Sequence, residues 1–176
     1  NPQEVRVLYL AHCSREKGLF DAVAAVMLAS QRLAERHFPI SLRLQVAGGF
    51  VRADEKAEFE WMMTQSGMAN LIQYFGFVSG DQKHQLLRDA DLFCFPTYYE
   101  NENQPVNLIE AMAFGLPILT TRWRSLPELF PADYPGLVDI RSPDQVANVI
   151  QALRTGGAGD RFRGGFLPGH PRDHHW

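Results

Sequence analysis

Two stretches of the sequence hold residue types that could handle a polar, charged ligand. The first runs from Pro96 to Pro117 and reads P-T-Y-Y-E-N-E-N-Q-P-V-N-L-I-E-A-M-A-F-G-L-P. In it, Glu102 lies just before a helical stretch that begins near Val106, and Glu110 lies about one turn inside that stretch. Helix geometry sets the two carboxylates roughly a turn and a half apart, close to the positive end of the dipole. The amides of Val106, Asn107 and Leu108 would point out of the same end, unpaired. Carboxylates accept from sugar hydroxyls and free amides hold phosphate oxygens, so the set suits a polyhydroxylated, phosphorylated ligand. The second stretch is His12-Cys13-Ser14-Arg15-Glu16-Lys17-Gly18. Lys17 sits where a strand gives way to a helix, and its ammonium can meet an anion there. Plainer readings stay open: Lys17 as a solvated lysine, Glu102 as an aid to the helix cap, Glu110 as a surface residue. A lysine in the first turn has the wrong sign for the helix dipole, which makes a bound anion the more attractive explanation.

Other chemistry finds less support. The His12–Gly18 loop contains neither G-x-G-x-x-G nor G-x-x-x-x-G-K-[ST]. Cys13 and Cys94 are too few for a disulfide framework or a thiolate metal site, so a reduced, cytoplasmic setting is expected. His170 and His174 have the spacing of a helical metal pair, but the glycines and prolines around them argue against a helix. No aspartate cluster suggests a divalent ion, so neither metal nor other cofactor is expected. Trp61, Met62 and Met63 read most simply as core or surface-groove residues, and Trp123 and Arg124 either pack or border the ligand. A formal net charge of -3, from 17 basic and 20 acidic residues, gives no electrostatic case for nucleic acid. No apolar run approaches the ~20 residues of a membrane helix.

The elements that must position these residues alternate between two periods. With 176 residues, 45% of them hydrophobic, the chain is long enough for one packed domain. Strands are expected at Val5–Ala11, Leu42–Ala47, Leu71–Phe75, Leu92–Phe95, Ile118–Thr120 and Leu137–Val138. Helices are expected from Gly18 to about His37, Asp54 to Gln65, a Ser79-capped stretch to Asp89, and Val106 to Phe114. Pro105 should stand at the first position of that last helix and Gly115 at its C-cap. Shorter helical turns are expected at Leu126–Phe130 and Pro143–Leu153. Repeated β-α units predict a Rossmann-like, doubly wound α/β fold with about six parallel strands in the order 3-2-1-4-5-6. Strands one and four then meet at the switch point, and the two chemically interesting stretches follow those strands. The last 21 residues hold six of the 14 glycines and read as an irregular tail or truncated helix.

The run E-N-Q-P-V-N-L-I-E-A-M-A-F-G-L-P-I resembles the E-x7-E signature of the retaining glycosyltransferases of family 4, of GT-B fold. The family commonly shows it as E-G-F-G-L-V-x-L-E-A-M-A-x-G-x-P, with an E-x-x-P variant close to this chain. Ser14-Arg15-Glu16-Lys17-Gly18 resembles the family's E-K-G phosphate loop, and Phe75-Gly76-Phe77-Val78-Ser79 its base-lining segment. The similarity spans residues 5 to 153. It implies that Lys17, with Ser14 beside it, contacts a donor diphosphate, and that Glu110 accepts from the ribose hydroxyls. Glu102 would face the transferred sugar as the catalytic residue, and Phe77 and Val78 would meet the base. Amides near Val106 and Asn107, with Asn103 in the adjoining loop, would hold the distal phosphate. Two departures stand out: His12 replaces a frequent arginine, and Asn103-Gln104-Pro105 replaces G-F-G, removing an amide donor at Pro105.

The resemblance implies one half of a two-domain enzyme: residues 1–156 as the nucleotide-sugar-binding domain, with 157–176 as a tail. On that reading an acceptor-binding N-terminal domain would be missing here, and any peripheral membrane association would come through it. The implied reaction moves a hexosyl group from a nucleoside diphosphate sugar, such as a UDP- or GDP-hexose, to an acceptor hydroxyl with retention. Glycan or polysaccharide biosynthesis is the expected setting, with this part inactive alone. The alternatives are a non-catalytic donor-binding or regulatory subunit and a GT-B-like sugar-nucleotide epimerase.

Overall fold

The structure is a computed structural model and describes residues 3–155. The expected tail and the His170/His174 pair lie outside the described residues. Six parallel strands form one sheet in the order β3-β2-β1-β4-β5-β6, as the β-α alternation predicts. They are β1 (Gln3–Leu10), β2 (Ile40–Ala47), β3 (Ile72–Gly76), β4 (Leu92–Phe95), β5 (Ile118–Thr121) and β6 (Leu137–Val138). The central strands read as continuous apolar runs because helices cover both faces of the sheet. Val7, Leu8, Tyr9 and Leu10 of β1 are all buried, as is every residue of β4. Right-handed crossovers leaving the switch in opposite directions place their helices on opposite faces.

The helices are α1 (Leu19–Glu35), α2 (Ala53–Met63), α3 (Met68–Leu71), α4 (Gly80–Asp89), α5 (Val106–Ala113) and α6 (Pro143–Thr155), with a 3-10 turn at Leu126–Leu129. Leu19, Val23, Val26 and Leu33 form the buried stripe of α1. His37, where the helix was expected to end, lies past it with φ 56 and is exposed. Arg36 closes the helix first, and the reversal toward Pro39 needs a left-handed residue. The short α3 was not anticipated; it occupies the start of the expected third strand, which begins at Ile72. Pro105 takes the N-cap rather than the first helical position, since its ψ of 109 is extended while its carbonyl accepts the first helix bond from Ile109. Gly115 follows the C-cap Phe114 and closes α5, with Gly115 N donating to Met112 O and Leu116 N to Ala111 O. Ser79 precedes α4 as expected, but its hydroxyl makes no capping bond.

Two glycines set how closely the strand ends converge at the switch. Gly18 has φ +87, and a Cβ there would lie 2.4 Å from the Pro96 carbonyl oxygen at the end of β4. Gly48 has φ +153, and a Cβ would lie 1.8 Å from the Ala11 carbonyl oxygen. Only a residue without a side chain fits either place.

Candidate functional site

The site is built outward from the carboxyl ends of β1 and β4. The loop after β1 is shaped from inside: buried Tyr9 donates its hydroxyl to the His12 carbonyl, 2.7 Å away. Burial raises the Tyr9 phenol well above its ordinary range, so it remains a neutral donor. Ser14 Oγ accepts from the Lys17 amide at 3.1 Å, and Leu19 N donates to the Ser14 carbonyl, which turns the chain into α1. That turn carries the Lys17 side chain toward the loop after β4.

There Lys17 Nζ meets Glu102 Oε2 at 2.9 Å, and the two side chains are only 18% and 5% exposed. Thr97 Oγ1 donates to the same carboxylate oxygen at 3.0 Å. The Lys17 ammonium also lies 4.3 Å from the centre of the Tyr99 ring, within cation–π range. Glu102 therefore does not cap α5; the helix has no side-chain cap, and the carboxylate turns instead to the lysine it neutralises. A buried carboxylate is strongly disfavoured without such a partner.

The loop that bears Glu102 is braced along its length. Tyr98 N donates to the Glu16 carbonyl, Thr121 Oγ1 to the Thr97 carbonyl and Ser125 Oγ to the Asn103 carbonyl. Trp123 Nε1 donates to the Tyr99 carbonyl at 2.7 Å, a supporting role for a tryptophan that the sequence left between packing and the ligand. The Asn107 amide side chain donates to the Leu10 carbonyl at 3.1 Å, tying the first turn of α5 to the end of β1. The backbone amides of Val106, Asn107 and Leu108 have no partner in α5, whose first bond is from Ile109. Val106 is 71% exposed beside them.

Glu110 faces another neighbour. Its Oε2 lies 2.6 Å from Lys83 Nζ of α4, an ionic contact whose angle falls outside hydrogen-bond geometry. His84 Nε2 lies 3.8 Å from Oε1, and the His84 ring packs on Phe114 at the end of α5. The structure thus brings Lys17 and Glu102 into contact but gives Glu110 separate partners. Phe77, on the loop between β3 and α4, is 79% exposed, whereas Val78 is buried.

Thr97, Tyr99, Lys83 and His84 escaped the reading of site residues. A lysine on the apolar stripe of a helix was the available signal for Lys83, because it precedes buried Leu86 and Leu87 by three and four positions. Cys13 and Cys94 are both buried, with burial pushing each thiol up to about 12, so neither is a thiolate near neutral pH. Trp61 is exposed on α2 rather than part of the core, while Met62 and Met63 pack partly against it. Among the described residues no group of three or more His, Cys, Asp or Glu side chains is placed to hold a metal ion. None of the described helices is long and apolar enough to cross a membrane.

An ammonium, a carboxylate and free amides at the switch point of a parallel sheet are suited to a phosphorylated sugar compound. The model of the glycosyl transferases group 1 family matches residues 1–158. The chain belongs to that family. Among its relatives is a glycosyltransferase of Methanocaldococcus jannaschii, 27% identical over 147 residues. That match covers 82% of this chain and 34% of the relative. The amylovoran biosynthesis glycosyltransferase AmsK of Erwinia amylovora is 25% identical over 155 residues, covering 86% of this chain and 35% of the relative. The chain thus spans about a third of the length of these curated relatives.

Solved structures agree on the fold. The Anabaena protein HepE, in complex with UDP and glucose, superposes with a TM-score of 0.74 at 20% identity. That superposition covers 92% of this chain and 41% of HepE. The C-terminal domain of the Francisella tularensis group 1 glycosyl transferase LpcC gives 0.73 at 20% identity, covering 92% and 80%. This group 1 glycosyltransferase domain has the Rossmann-like fold of one half of a GT-B enzyme, the architecture the sequence resemblance implied.

Proposed function

We propose that the chain binds the nucleotide-sugar donor of a retaining glycosyltransferase of family 4. The remainder of such an enzyme would supply the acceptor side. The observation that carries the reading is the Lys17–Glu102 pair at the switch point, beside the free amides at the start of α5. Lys17 and those amides would neutralise the charge that develops on the departing diphosphate. Glu102 would accept from the hydroxyls of the sugar, Glu110 from those of the ribose, and the Phe77–Val78 backbone would line the base. Ser14 and Asn103 complete the loops around the diphosphate. HepE was solved with UDP and glucose, which favours a nucleoside diphosphate hexose as donor. AmsK is an amylovoran biosynthesis glycosyltransferase, which favours glycan or polysaccharide biosynthesis as the setting. Two unpaired, buried thiols favour a cytoplasmic setting. Residues 1–156 would form the donor domain, inactive alone, with residues 157–176 as its tail.

The lysine and the amides give the diphosphate its counter-charge without a divalent ion, so donor binding should not depend on one. Calorimetry of UDP and GDP against the 176-residue chain tests this. Expected are binding unchanged by a chelator and weakening with added salt, as screened charges require. Binding that appears only with magnesium or manganese contradicts the reading.

A further inference from the structure

Glu110 and Lys83 form a pair whose geometry says more than its charge balance. Lys83 lies in the first turns of α4, directly after the Phe77–Val78 loop. Its ammonium sits against Glu110 Oε2, an atom sealed from solvent, and the two side chains are 21% and 28% exposed. One carboxylate oxygen is therefore committed to α4, and Oε1 is the oxygen left to accept from a ligand. His84 stands 3.8 Å from Oε1, too far for a short hydrogen bond, so that oxygen is not consumed. A free glutamate samples many rotamers; an ammonium held against one oxygen restricts the carboxylate to fewer of them.

We propose that Lys83 is a positioning residue of the nucleotide subsite. It orients Glu110 so that Oε1 is presented to the ribose diol, and it thereby sets the preference for a ribose over a deoxygenated sugar ring. The inference rests on the reading of Glu110 as the ribose acceptor. Lys83 does not itself touch the ligand in this account. A lysine that merely attracted the diphosphate would strengthen binding of all nucleoside diphosphates equally, whatever their ring hydroxyls. A lysine that merely held α4 to α5 would change stability and leave that preference alone.

The experiment measures affinities of UDP and GDP, each beside its 2′,3′-dideoxy counterpart, together with melting temperatures. The proteins are the 176-residue chain and its Glu110→Ala, Lys83→Met and Lys83→Arg variants. The wild-type chain should favour the ribonucleotide by about 10- to 100-fold, the range for a charged hydrogen bond, and Glu110→Ala should abolish that preference. Lys83→Met should cut the preference about three- to tenfold, the range for losing one ordered side chain, while leaving dideoxy affinity nearly unchanged. Lys83→Arg should restore most of it, since a guanidinium also holds a carboxylate.

If Glu110→Ala behaves as expected but Lys83→Met keeps the full preference, the positioning role is wrong and the ribose reading stands. If Lys83→Met weakens both ligands equally, the lysine acts by charge or by stability, and the proposal is overturned. Absence of any preference in the wild-type chain, or of binding by either ribonucleotide, overturns the ribose reading and the inference with it. Should Lys83→Met fail to fold, Lys83→Gln gives the same comparison with a polar chain of similar reach.

Discussion

The surroundings of Glu102 and Glu110 differ more than their closeness in sequence suggests. Glu102 lies on an irregular loop, yet it is nearly sealed and holds Lys17 and Thr97 through one oxygen. Glu110 lies on regular helix, is more open, and is held across a gap by Lys83 of a second helix. Regularity of the backbone is thus a poor guide to how firmly a carboxylate is fixed. The bracing of its loop by Glu16, Thr121, Trp123 and Ser125 does for Glu102 what α5 does for Glu110. The contrast also bears on ligand binding. Lys17 already has a carboxylate partner, so a diphosphate arriving there would share or replace Glu102 rather than meet a bare charge.

The sharpest way to break the Glu102 side is to spoil the convergence that supports it. Gly18→Ala forces a Cβ against the Pro96 backbone in a left-handed conformation, and neither neighbour is a flexible side chain that can give way. We expect a loss of about 3 kcal/mol or more in urea unfolding, among the larger single-residue effects. The next test sets the two lysines against each other. Lys17→Met leaves the buried Glu102 carboxylate without its cation and should cost about 2–3 kcal/mol, below the full range for deeply buried pairs because Lys17 keeps some exposure. Lys83→Met removes a more exposed partner and should cost about 0.5–1 kcal/mol. Thermal unfolding of the two variants should rank them in that order; equal losses would erase the distinction between the sites.

The frame of this site was legible in the sequence because it follows from periodicity. Apolar runs such as Val5–Leu10 and Leu92–Phe95 mark strands buried on both faces, and the β-α alternation orders them, which puts the β1 and β4 loops together. Pairings between distant residues were not legible. Lys17 and Glu102 lie 85 positions apart, and their separate roles toward phosphate and sugar gave no hint that they meet without a ligand. Glu102 as a helix cap was a reasonable local reading that lost to the greater demand of a buried carboxylate for a cation. Lys83 looked like one more charge on a surface helix, and only its position on the Leu86–Leu87 stripe set it apart. The α3 turn was missed because its four residues are too few to show a period.

The central claim is that the two carboxylates do different work, and affinities of Glu102→Gln and Glu110→Ala test it most directly. Calorimetry would compare a nucleoside diphosphate with the corresponding nucleotide hexose on both variants, beside ligand-free melting temperatures. Glu110→Ala should weaken both ligands alike, by about one to two decades. Glu102→Gln keeps the shape but loosens the grip on Lys17, so diphosphate affinity should hold or rise while the preference for the nucleotide hexose is lost. Equal loss of both ligands in both variants, at unchanged melting temperature, would contradict the division of labour.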